Sequence, residues 1–176
     1  MSSTNIQNFP GDVQIRGTTF IKANTATDNL AIGSLAGEAS QGASSVAVGN
    51  LAGSNAQGAN SVAIGNGAGK ADQAASSVAI GQNAGQTSQG ASTVAVGYHA
   101  GSTGQGAQAV AVGRLAGCNA QGANAVALGY AAGVTSQGAS TTAVGYQAGL
   151  NAQGTSSVAV GQSAGQVSQG THATAI

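Results

Sequence analysis

Residues 45–60 read SVAVGNLAGSNAQGAN, residues 61–76 read SVAIGNGAGKADQAAS, and residues 77–92 read SVAIGQNAGQTSQGAS. The same alanines, glycines and glutamine return every 16 residues while the positions between them drift. Extending the register in both directions gives repeat starts at Leu30, Val46, Val62, Val78, Val94, Val110, Val126, Thr142, Val158 and Thr174. The next residue is always alanine: Ala31, Ala47, Ala63, Ala79, Ala95, Ala111, Ala127, Ala143, Ala159 and Ala175. The one after is Ile, Val or Leu, from Ile32 to Ile176, and a glycine follows in every complete repeat, Gly33 to Gly161. An Ala-Gly pair recurs from Ala36-Gly37 to Ala164-Gly165. A glutamine closes the pattern at Gln41, Gln57, Gln73, Gln89, Gln105, Gln121, Gln137, Gln153 and Gln169. No insertion or deletion breaks the register.

A short fixed period with this much glycine predicts a solenoid. The segment SVAVG alternates with period two and is rich in β-branched residues, so it reads as a strand. The glycines supply turn conformations that a Cβ disfavours, and a helix would lose about 1 kcal/mol at each of them. Sixteen residues accommodate two short strands and two tight turns. The expected fold is therefore all-β, a parallel β-solenoid in which each repeat is one coil, with residues 30–176 forming nine coils and the start of a tenth. At about 4.8 Å per coil this gives a rod of roughly 40 Å. Residues 1–29 stand outside the repeat. MSSTNIQNFP reads as a tail, and DVQIRGTTFIKAN (12–24) alternates as one or two strands. Because solenoid ends need covering, this leader is expected to cap or dock. The sequence ends at TATAI as a tenth strand begins. That end is expected to be covered by another copy or a further domain, or to stack end to end through an uncovered strand edge.

Composition narrows the function. Charged residues are 5% and aromatics 3% of 176 residues, there is no Trp, and formal net charge is zero. The four basic residues Arg16, Lys22, Lys70 and Arg114 form no patch able to neutralise phosphates, so nucleic acid is not an expected partner. No apolar run approaches a membrane span, and the N-terminus lacks the pattern of a signal peptide. Synthesis in a cytoplasm is expected, with a final location in a virion or an extracellular appendage. The single Cys118 forms no intramolecular disulfide.

In a stack each repeat position becomes a column, and a column that tolerates many residue types faces water. The pleat sends Val46 and Val48 to one face and Ala47 to the other. The Val face is the natural filling of the coil. The unvarying Ala column then lies outside, where close approach by a partner chain would forbid anything larger; repeats that have not yet diverged would look the same. On this reading the Ala column mediates a homo-oligomer, a trimer or another bundle. The Gln column forms an amide ladder or satisfies turn backbone groups.

Chemistry is sparse. GNGAGKAD (65–72) approximates a phosphate loop, but Ile64 stands where the first glycine belongs and Ala71 replaces Ser/Thr. Only Asp12, Asp28, Glu38 and Asp72 are acidic, too few for a calcium-binding array. His99 and His172 lie rungs apart in variable columns, and Cys118 has no indicated base. No catalytic, cofactor or metal site is expected, and the chain reads as a non-enzyme. Tyr98, Tyr130 and Tyr146 share one column, an exposed rim that could meet a receptor or glycan.

The unit S-V-A-[VI]-G-x-x-A-G-x-x-x-Q-G-A resembles the SVAIG-type repeats in the heads of YadA-like trimeric autotransporter adhesins, over residues 30–176. The resemblance implies a left-handed β-roll with three chains side by side. The period of sixteen is longer than that family's usual fourteen or fifteen, and stalk, anchor and signal peptide are missing. The longer unit is also similar to repeats in fibre proteins of phages and large DNA viruses, which are made in a cytoplasm. Either resemblance implies a structural fibre or filament segment with an adhesive role. An ice-binding solenoid is the alternative. It would use the small polar columns Ser44/Asn60/Ser76 and Ser45/Ser61/Thr93/Thr141, although no uniform Thr array exists. Thermal hysteresis would discriminate between the two readings.

Overall fold

The computed structural model describes residues 13–15, 18–24 and 26–176. The tail assigned to residues 1–10 lies outside the described residues. The described chain has no helix and is a parallel β-solenoid with 16-residue coils.

Strand β1 (Val13–Ile15) pairs antiparallel with β2 (Thr18–Asn24), and β2 pairs antiparallel with β3 (Asn29–Ile32). The leader thus supplies two strands, and β2 occupies the outer edge of the first coil. From β3 onward the pairing is parallel. Strand β4 (Val46–Val48) lies beside β3, and each later VAV-type strand follows at a step of 16 residues to Thr174–Ala175. These make a 12-stranded sheet. The second strand of each coil starts with β5 (Asn55–Gln57) and builds a parallel 7-stranded sheet ending at Asn151–Gln153. Lone bridges at Ala39–Asn55 and Asn151–Val167 extend that sheet by one coil at each end.

The register is strict, with Val94 opposite Val110, Ala95 opposite Ala111 and Val96 opposite Val112. Turns stack as faithfully as strands, as when Leu51 N donates to Ser34 O (2.9 Å) and Gly53 N donates to Ala68 O (2.9 Å). Backbone groups in strands and turns alike find their partners in the neighbouring coil, as burial requires.

Inside each coil the facing expected from the sequence is reversed. The Ala column from Ala47 to Ala159 is 0% exposed within the single chain, as are Ala52 to Ala148 of the Ala-Gly pairs. Together they form the core, and Ala175 packs against it from the last coil. The Val and Ile side chains flanking each core alanine point outward. The reason is width. The Ala95 Cβ sits only 3.2 Å from where a Cβ on Gly101 would stand, so at this column the coil closes too tightly for a larger side chain at native packing density.

The turns and the middle of the second strand of each coil use left-handed backbone at residues other than glycine. Leu51 (φ 58), Ala56 (φ 54) and Asn60 (φ 56) occupy three such columns. The chain already places glycine in two of them, at Gly67 (φ 65) and Gly104 (φ 66). Ala120 (φ 55) is exposed and lies in the Gly104 column. The αL conformation costs an L-residue about 1–2 kcal/mol, and glycine gives back about 0.5–1 kcal/mol in chain entropy. Ala120→Gly is therefore expected to stabilise the fold by about 0.5–1 kcal/mol, read as a raised denaturation midpoint.

Candidate functional site

The glutamines are the largest fully buried side chains of the rod. Each crosses the coil interior and ties the two sheets together. Gln105 Nε2 donates to Val94 O (3.0 Å) on the opposite sheet, to Ala109 O (3.3 Å) in the following turn, and to Gln121 Oε1 (3.1 Å) in the next coil. Both readings of the column hold, because the amides satisfy backbone carbonyls and also bond to one another. The ladder is interrupted, however. Gln41 reaches Gln57, Gln89 reaches Gln105, and Gln137 reaches Gln153, which reaches Gln169. The Oε1 atoms of Gln73, Gln89 and Gln137 are buried without a partner. The Ala-Gly glycine makes room for this amide, since a Cβ on Gly101 (φ +50) would stand 2.7 Å from Gln105 Oε1. The two invariant columns thus require each other, and the Gln column is internal.

The Ala column proposed as an interchain contact (Ala31, Ala47, Ala63, Ala79, Ala95, Ala111, Ala127, Ala143, Ala159, Ala175) is likewise taken up inside the coil. It is filled by the chain's own atoms and presents nothing to a partner. What the strand does present is its branched residues. Ile64 is 38% exposed, Ile80 37%, Val112 36% and Val160 39%, and Val46, Val62, Val78 and Val94 are half-buried beside them. Two parallel rows of Val, Ile and Leu therefore run along the outer face of the larger sheet. The facing carried no local signal in the sequence, because it is set by the distance across the coil at this column.

One turn column carries the chain's three tyrosines next to its only Asp, Glu, Lys or Arg beyond Asp72, Arg114. Arg114 lies between two rings, 5.5 Å from the centroid of Tyr98 and 5.3 Å from that of Tyr130, and donates from Nη1 to Tyr130 Oη (2.9 Å). Tyr130 stacks on Tyr146 at 5.2 Å with an interplanar angle of 10°. Tyr98 meets His99 edge to face at 4.4 Å. Tyr98 is 42% and Tyr146 50% exposed. Toward the first coils the column continues with amides, and Asn66 Nδ2 donates to Asn50 Oδ1 (3.1 Å).

The remaining candidates do not converge. Asn83 takes up His99, with Nδ2 and Nε2 3.3 Å apart, and His172 is exposed in the last coil. Cys118 is buried, and burial pushes its thiol above the usual value, which opposes a nucleophilic role. Among the described residues no cluster of His, Cys, Asp or Glu could hold a metal, and no helix is long and apolar enough to cross a membrane. The phosphate-loop-like GNGAGKAD is one turn of the solenoid, with Gly65 N donating to Val48 O (2.8 Å) and Gly69 N to Ala84 O (2.9 Å). Of the two polar columns considered for ice, Ser44, Asn60 and Ser76 are exposed. Ser45, Ser61, Thr93 and Thr141 are buried, and their hydroxyls bond turn carbonyls, as from Ser45 to Gly42 O (2.6 Å) and Thr93 to Gly90 O (3.0 Å). No family model, curated protein or solved structure matches the chain.

Proposed function

We propose that the chain is a non-enzymatic rod segment of a fibre or appendage, assembled from copies of itself, three to a bundle, through the outward rows of Val and Ile. The observation that carries this reading is the exposed apolar strip. Ten parallel strands, most of them three residues long, spaced about 4.8 Å apart, make a face of roughly 400 Å², the scale at which an apolar patch on a monomer marks an interaction site. The strip carries no charge, and its rows repeat with the spacing of the coils. A second copy aligned along the rod matches that spacing over the whole length, which a globular partner does not. The resemblance to trimeric adhesin heads and viral fibre repeats agrees with three copies. Backbone ladders along the axis and a core of short side chains suit a stiff spacer.

Light scattering over a dilution series tests the reading. A constant mass near three chains is expected, and the double substitution Ile80→Lys/Val112→Lys is expected to yield monomers with an unchanged β-sheet circular dichroism spectrum. A parent that is monomeric at all concentrations would overturn the proposal.

A further inference from the structure

We infer that the ridge of Tyr98, Arg114, Tyr130 and Tyr146 binds an acidic saccharide chain through a carboxylate seated on Arg114. This goes beyond the rod reading and does not depend on the number of copies in a bundle.

Electrostatics gives the first argument. Residues 73–176 contain no Asp, Glu or Lys, so Arg114 is their only formal side-chain charge. No carboxylate of the repeat neutralises it, and its hydrogen bond goes to a neutral phenol. A guanidinium with five donors in a planar fork is left to find its counter-charge outside the chain.

Preorganisation gives the second. The Tyr98 and Tyr130 rings lie 5.5 and 5.3 Å from the Arg114 Cζ. The bond from Nη1 to Tyr130 Oη (2.9 Å) tethers one edge of this exposed guanidinium, and the other edge is the one offered to a ligand. A carboxylate matches that edge with two parallel hydrogen bonds, and the entropy of ordering the arginine has already been lost in the free protein.

The surroundings select the rest of the ligand. Because Tyr130 and Tyr146 stack along the rod, their ring faces cover one another, and the ridge offers outward a row of edges and hydroxyls. Gln82 and Gln162 continue the same column at its two ends, both exposed. Such a row donates to and accepts from hydroxyl groups. The strands beside it are already paired on both edges, which leaves no place for an added peptide strand. From Tyr98 to Tyr146 the ridge spans three coils, about 14 Å at the usual strand spacing, so it suits an extended chain lying along the rod.

The chain has three Tyr and no Trp, so its intrinsic ultraviolet emission reports on this ridge alone. The full-length protein would be titrated with a hexamer of galacturonic acid, a neutral hexasaccharide and a hexaglutamate peptide, with calorimetry in parallel. Saturable binding of the uronate oligomer, weakened by salt and absent for the neutral sugar, is the expected result. Arg114→Gln should weaken it about tenfold or more, and Arg114→Lys, which keeps the charge but not the fork, should fall between the two. Unchanged melting of both variants would separate the binding loss from misfolding. No binding of the uronate oligomer, equal binding of hexaglutamate, or undiminished binding by both variants would overturn the assignment.

Discussion

Ala95→Leu is expected to destabilise the rod by about 3 kcal/mol, the upper range for overpacking a closed core, while Val96→Leu one residue away stays within about 0.5 kcal/mol of the parent. Ala95 is fully buried between Ala79 and Ala111, in register above and below. Across the coil it faces the glycine turn at Gly101, where even a Cβ would stand only 3.2 Å from its own. A leucine there must push the two sheets apart, and every hydrogen bond between this coil and its neighbours resists that movement. Coils contact only their nearest neighbours, so the damage is local in origin, yet both adjoining interfaces share it. Val96 points outward and can lengthen into solvent. Denaturant midpoints of the two variants check the prediction. They also distinguish the two possible facings of the strand, because valine inside and alanine outside would give the opposite ranking.

How far the sequence reaches can be seen at these same residues. The period, the strand at VAVG and the count of two strands per coil are local patterns, and each survives in the structure; the second strand, ending at the glutamine, is placed by the structure. Facing is not local. Alternation divides Val46 and Val48 from Ala47 but does not say which side is inside, and hydrophobicity alone favours valine. The deciding quantity is the distance across a coil, which depends on how tightly the turns close. Those turns use αL backbone at Leu51 as well as Asn60, and a leucine announces no such conformation. The invariance of the Ala column was a true signal of close approach, but the approaching surface belongs to the same coil. The Tyr column was legible as exposed. Its organisation around Arg114 was not, because it depends on side chains from successive coils lying at ring-stacking distance.

The second large effect concerns the buried amide. Gln105→Glu changes the volume hardly at all, yet at pH 7 it is expected to cost about 4 kcal/mol, as an uncompensated buried charge does. The glutamine gives its NH2 to Val94 O, Ala109 O and Gln121 Oε1, all of them acceptors. A carboxylate would confront those oxygens with lone pairs and no donor. Both the burial and the surrounding oxygens favour the protonated form, so the introduced acid's pKa in the folded rod lies above the unfolded value of about 4.3. The sign follows from proton binding. Below about pH 4 the acid is protonated in both states, and the remaining loss, about 2 kcal/mol, reflects a single O–H doing the work of two N–H bonds. As pH rises through the unfolded pKa, the unfolded chain releases its proton while the folded chain keeps it. Stability then falls by about 1.4 kcal/mol per pH unit until the folded pKa is reached. The parent has no titrating group in this column, so the difference between variant and parent isolates the introduced acid. Denaturation midpoints of parent and variant between pH 3.5 and 7 read the difference directly. A difference that stays constant with pH would mean that the amide is hydrated and that the glutamines do not hold the two sheets together from inside.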